Sequence, residues 1–146
     1  MLNRWVETDG LLDALDEFGI GSIAFTPLAQ GLLTNKYIKG VPKNSRALQG
    51  KSLDQNMITS ELMQNLNDLN DLAQGRGQTL AQMALSWVLR ENRVTTALIG
   101  ASTSKQVEDC AGAVNNLNFS ELELSEIDRL SGDHGINLWA KSSETD

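Results

Sequence analysis

The sequence predicts an α/β fold in which parallel strands are joined by helices. Three observations carry this. The apolar patterning runs in the order helix, strand, helices, strand, helix. The two strand-like runs, residues 20–25 and 95–99, are short and bear β-branched side chains, as buried parallel strands do. The segments around them carry apolar residues at three-to-four spacing behind recognisable caps.

Residues 1–6 have an apolar start and no capping residue, so they read as the end of an element. Thr8 or Asp9 can cap a helix that places Leu11, Leu12, Ala14, Leu15 and Phe18 on one face, with Gly19 as its left-handed stop. The strand at 20–25 then ends at Pro27, which has no N–H to give a ladder. A polar loop over 39–59, with Pro42, Lys43 and Arg46, is long enough to be either a functional element or a connector. Thr59 or Ser60 caps a helix through Leu62, Leu66, Leu69, Leu72 and Ala73 that ends at Gly75. Thr79 with Gln82, and Ser120 with Glu123, form capping boxes: each hydroxyl takes a backbone N–H while the long side chain reaches back to the cap. The first opens a helix through Leu80, Met83, Ala84, Trp87 and Val88, the second one through Leu122, Leu124, Ile127 and Leu130. The tail, 133–146, has Ile136, Leu138 and Trp139 as its apolar anchors.

The second strand leads into Gly100, Ala101, Ser102, Thr103 and Ser104, and then a helix to about Val114 in which Gly112 is worth about 1 kcal/mol less than alanine. Any of the three hydroxyl residues can cap that helix. A helix start carries free N–H groups and partial positive charge, so it suits a phosphate, and Lys105 adds a full charge where the dipole alone favours an acid. The same residues also make an ordinary strand-to-helix turn, and both readings stand at this point.

Composition narrows the classes. The net charge of −7, without a basic run, argues against nucleic acid and membrane surfaces as partners. One cysteine, Cys110, excludes internal disulfides and multi-thiolate zinc sites. One histidine, His134, excludes His-rich metal clusters. With neither a membrane-length apolar run nor a signal-peptide pattern, a cytoplasmic protein is expected.

Two stretches then carry a family resemblance. Phe25, Thr26, Pro27, Leu28, Ala29, Gln30, Gly31, Leu32, Leu33, Thr34, Asn35, Lys36 and Tyr37 resemble the seventh-strand signature of the aldo-keto reductases, in the branch that includes the potassium-channel β subunits. Gly100 to Gln106 resemble that branch's eighth-strand phosphate turn, and the helix from Gln78 to Leu89 is also similar. Asn137, Leu138 and Trp139 are similar to the tail of bacterial members that reduce L-glyceraldehyde 3-phosphate. The resemblance implies the C-terminal part of a (β/α)8 barrel, from the end of strand six onward, that reduces small aldehydes or ketones with NADPH. By this likeness the cofactor would lie along Phe25, Thr26, Pro27, Leu28, Ala29, Gln30 and Gly31. Lys36, Asn44 and Arg46 would meet its phosphates, and within a cofactor loop of 26–59 the stretch from 39 to 59 would be a belt over the pyrophosphate. Gly100, Ser102 and Gln106 would hold the 2′-phosphate end, and Asp109 and Cys110 the adenine, where relatives often carry Glu and Asn.

The resemblance also implies what is missing. The family's catalytic aspartate, tyrosine, lysine and histidine belong to its first half. Tyr37, the one tyrosine, matches a non-catalytic position, and His134 lies in the tail. The chain alone is therefore expected to be inactive. Two or three strands cannot close a barrel, so an exposed edge, marginal stability or aggregation is expected, relieved by the missing half or by self-association. The rival expectation is a non-catalytic module that binds a nucleotide or a partner.

Overall fold

Four helices start at hydroxyl caps that the sequence marks, Thr59, Thr79, Thr103 and Ser120. The computed structural model describes residues 1–38 and 58–132 of the 146. Eight elements follow in order: α1 (Trp5–Thr8), α2 (Leu11–Glu17), β1 (Ile23–Phe25), α3 (Ser60–Gly75), α4 (Leu80–Leu89), β2 (Thr96–Leu98), α5 (Ser104–Ala111) and α6 (Glu121–Leu130). Thr59 caps α3 by accepting the Leu62 N–H. Both capping boxes close as the spacing predicts, Thr79 with Gln82 on α4 and Ser120 with Glu123 on α6. Among the three candidates for α5, Thr103 is the cap, accepting the Gln106 N–H.

β1 and β2 pair in parallel, with Ile23 opposite Thr96, Ala24 opposite Ala97 and Phe25 opposite Leu98. The crossover between them carries α3 and α4. A core forms where α3, α4 and α6 meet: Leu62, Leu66, Leu69, Leu80, Met83, Ile127 and Leu130 are fully buried together with Leu32, Leu33 and Tyr37. The sheet lies beside this core, with α4 packed against β2.

Several sequence expectations are corrected. The strands are shorter than 20–25 and 95–99, because each pairs only over the three residues where it faces the other. They are also not buried as expected: Ile23 is 66% exposed, Phe25 58% and Leu98 62%. Gly10, at φ 76°, replaces Thr8 and Asp9 as the residue before α2. That helix buries Leu12 alone, with Leu15 half-buried, while Leu11 and Phe18 stay exposed, so the expected apolar face is covered only in part. Gly19 is left-handed, as the stop requires. Met1 and Leu2 join the core, and α1 begins at Trp5. α5 stops at Ala111 and tightens into a 3-10 turn over Gly112–Asn115, where a Cβ on Gly112 would stand 2.6 Å from the Gln82 amide nitrogen. The tail 133–146, the loop over 39–57 and its residues Asn44 and Arg46 lie outside the described residues.

Candidate active-site cleft

The chain leaves both strands at the same end, and a cleft of about 1040 Å³ opens there. One wall comes from the segment after β1: Phe25, Thr26, Pro27, Leu28, Gln30, Gly31, Thr34, Asn35 and Lys36. The other comes from the end of β2 and its turn, from Leu98 to Ser102, and from Gln106, Asp109 and Cys110 of α5. Thr79 and Ala81 at the start of α4 close the floor.

The first wall is a folded double turn. Thr26, Ala29 and Gln30 have φ of 54°, 46° and 59°, and Gly31 has 96°. Left-handed backbone opposes each non-glycine residue by roughly 1–2 kcal/mol, most for β-branched threonine. Backbone bonds hold it: Ala29 N–H donates to Thr26 C=O at 3.0 Å, Gly31 to Leu28 at 2.9 Å, and Leu32 to Ala29 at 3.1 Å. The Thr34 hydroxyl donates to Gly31 C=O at 2.6 Å and accepts the Lys36 N–H at 3.2 Å. Ala29 differs from its neighbours; it packs against the core rather than lining the cleft.

In the second wall, Gln106 Oε1 accepts the Ser102 N–H at 2.7 Å, while Gln106 N–H goes to Thr103 Oγ1 at 3.3 Å. The turn is therefore braced by its own helix, and an anion there must draw on the remaining first-turn N–H groups, the hydroxyls and a cation. Lys36 is the one cation and Asp109 the one acid among the described residues lining the cleft. Lys105 is exposed and outside that lining. The Asp109 carboxylate accepts from Thr79 Oγ1 at 3.3 Å, and its carbonyl accepts from Gln82 Nε2 at 2.9 Å. Burial, and then the Asp109 charge, push the Cys110 thiol above its ordinary pKa, so it stays protonated near neutrality.

The structure thus brings together every described residue of the sequence-predicted site except Ala29. It adds Thr34, Asn35, Thr79 and Ala81, and also Leu98, Ile99 and Ala101 around the predicted Gly100 and Ser102. The polar run from Thr34 to Lys36 was a signal for the first two. Thr79 reads in the sequence only as a cap, and its second role needs α5 beside α4.

Tyr37 is no part of the cleft. It is fully buried, and its hydroxyl has no hydrogen-bond partner among the described residues. An unpaired buried hydroxyl is unfavourable by about 1–3 kcal/mol. Tyr37→Phe is therefore expected to raise the urea midpoint slightly, by up to about 1 kcal/mol of stability, and to leave ligand binding unchanged.

A smaller cavity of about 240 Å³, near the approach to β2, is lined by charge. Glu7 bonds Arg4 at 2.6 Å and Arg90 at 2.7 Å, and both guanidiniums stand over the Trp87 ring, at 4.9 and 3.8 Å from its centroid. Burial alone would raise the Glu7 pKa, but bonds from the two arginines outweigh it and hold the carboxyl below its usual value. Arg4 also reaches Asp128, and Arg93 reaches Asp13. These cations are spent on one another's acids and tie α1 to α4 and α6. Among the described residues, no cluster of His, Cys, Asp and Glu could hold a metal ion, and no helix is long and apolar enough to cross a membrane.

Residues 1–131 match the model of the Aldo/keto reductase family. The chain belongs to that family. It is 51% identical to L-glyceraldehyde 3-phosphate reductase of Escherichia coli strain K12 over a 148-residue alignment, and 50% identical to the protein of that name from Escherichia coli O157:H7. Each alignment covers 99% of this chain and 43% of the relative, so the chain spans less than half their length. Among solved structures it superposes on a thermostable aldo-keto reductase, Tm1743, in complex with the inhibitor epalrestat, with a TM-score of 0.55 at 20% identity. That likeness covers 88% of this chain and 36% of the other, and shows the fold. β1, β2 and their helices form part of a (β/α)8 barrel whose sheet is not closed here. The cleft stands where such barrels carry their sites, at the C-terminal ends of the strands.

Proposed function

We propose that the cleft takes NADP(H), and that the chain is the cofactor-binding part of a reductase for small aldehydes or ketones. The observation that carries this is the meeting, at the C-terminal ends of two parallel strands, of the two segments that resemble the family's cofactor sites. The residues fit such a guest. An anionic dinucleotide needs a cation and a helix start, supplied by Lys36 and the turn before α5. Its ribose and amide groups need a polar wall, for which Gln30, Thr34, Asn35, Ser102 and Gln106 are available. Half-exposed Phe25 offers an aromatic face for a flat ring. Asp109 faces Thr79 rather than a free space, so it would present a carboxylate edge already partly satisfied.

When bound, the dihydronicotinamide supplies hydride to a carbonyl carbon. This chain's part is to hold and orient the dinucleotide. A proton must also reach the carbonyl oxygen, and the one tyrosine, Tyr37, is buried away from the cleft. Reduction therefore needs donors from the portion of the barrel that this chain does not span, and the 146 residues alone should show none. L-Glyceraldehyde 3-phosphate is the first substrate to test, on the likeness to the Escherichia coli reductases.

The test is a fluorescence titration with NADPH, followed by addition of a separately made remainder of the barrel. Saturable binding and carbonyl reduction after complementation are expected. Lys36→Glu should weaken binding about tenfold, since it turns an attraction into a repulsion worth about 1.4 kcal/mol near a surface. Absence of binding even after complementation would leave a partner-binding module as the better reading.

A further inference from the structure

We infer that the capping box of α4 is also a clamp on the cleft: Thr79 and Gln82 are positioning residues that hold Asp109, and with it the α5 wall, in place for a nucleotide. For the guest this rests on the cofactor reading above; the clamp itself is tested without one.

α5 needs an outside hold. It is 8 residues long, and none of them is buried. A helix that short has little stability of its own and ordinarily relies on packing an apolar face. It packs against α4 and the turn over Gly112–Asn115. Yet α5 brings Gln106, Asp109 and Cys110 into the cleft, so its placement sets where those groups stand.

The start of α4 supplies the hold. Thr79 Oγ1 stands 3.4 and 3.3 Å from the two Asp109 carboxylate oxygens, and Gln82 Nε2 donates to the Asp109 carbonyl at 2.9 Å. One residue of α5 is thus gripped by side chain and by backbone. The cap presets both contacts. Gln82 Oε1 accepts the Thr79 N–H at 2.9 Å, which commits the acceptor end of that amide and leaves its donor end for α5. Thr79 Oγ1 accepts the Gln82 N–H at 3.1 Å, and a carboxylate only accepts, so the hydroxyl proton goes to Asp109.

Gly112 makes the room. At φ −60° and ψ −15° its backbone is ordinary helical geometry, so glycine is not required there for its conformation. A Cβ would instead stand 2.6 Å from Gln82 Nε2 and 3.6 Å from its Cδ. The amide, at the end of a flexible side chain, would swing away and release the Asp109 carbonyl. A cap needs only the Thr79 hydroxyl and an acceptor on residue 82. The amide donor of Gln82 and the bare Cα at 112 serve the second contact, which marks a clamp rather than a helix start that merely lies near.

Two variants separate clamp from cap. Gln82→Glu keeps an acceptor for the Thr79 N–H, and so the capping box, but loses the donor. Gly112→Ala leaves both cap residues intact and displaces the amide. Neither position lines the cleft. In the 146-residue chain without nucleotide, each variant should speed hydrogen exchange over 104–111 by about fivefold or more and leave 60–75 unchanged, a pattern that general loss of stability would not give. In fluorescence titration each should bind NADPH about tenfold more weakly, while Thr79→Ser, which keeps cap and donor, should match the parent. Exchange over 104–111 unchanged in both variants, or NADPH binding in both as tight as in the parent, would overturn the inference. A parent that binds no NADPH would sink the cofactor reading and leave the exchange rates to decide the clamp.

Discussion

Arg76→Ala is expected to lower the stability of the chain by about 2–4 kcal/mol, a drop of about 1–2 M in urea midpoint. The Arg76 side chain is 3% exposed and every arm of its fork is used. One terminal nitrogen meets Glu123 at 2.7 Å, the other donates to Asn118 C=O at 2.9 Å, and Nε donates to Gln78 Oε1 at 2.9 Å. The plane lies 3.7 Å from the Phe119 ring centroid. Gln78 carries the connection inward, to Ser86 Oγ at 2.9 Å and Asn116 C=O at 3.1 Å, and Ser86 passes it to Ala113 C=O at 2.8 Å. One guanidinium therefore joins the end of α3 to α4, α6 and the turn after α5. The Glu123 pair itself contributes little, because that carboxylate is partly in water. The loss comes from the buried Gln78 side chain left without its partner and from the guanidinium packing lost against Phe119. Arg76→Lys should recover less than half, since an ammonium cannot serve the three directions at once.

Leu66→Ala is expected to be about as severe, at roughly 2–5 kcal/mol. Leu66 is fully buried on α3, in the row Leu62, Leu66, Leu69 and Ala73 that faces the core. Deleting its branch removes apolar contact and leaves a cavity in a core shared by α3, α4 and α6. Leu122, 84% exposed on α6, is the control: its alanine variant should lie within about 0.5 kcal/mol of the parent. Urea midpoints of the three chains, measured together, check both expectations.

What the sequence disclosed is what short spacing encodes. Thr79 with Gln82 and Ser120 with Glu123 close within one helical turn, so their caps are legible without a neighbour. The strands were found but their burial was not. Apolar runs at Ile23–Phe25 and Thr96–Leu98 imply cover on both faces, and the chain supplies cover on one. Phe18 misled for the same reason: it completes an apolar helical face of which only Leu12 is buried here. The cleft was legible because its walls are two continuous segments, after β1 and after β2, each with its own motif. Thr79 in its floor, the reach of Gln78 to Ser86 and Asn116, and the stand of Arg4 over the Trp87 ring were not. Each joins residues eight or more apart in sequence, and no local period marks them.

Hydrogen exchange of the 146-residue chain with and without NADPH tests the cofactor reading most directly. Slowed exchange in both walls of the cleft, residues 26–36 and 99–106, is the expected result, with the Arg4 and Arg90 cavity unaffected. Unchanged exchange in both walls at saturating NADPH, or protection confined to that second cavity, would contradict it.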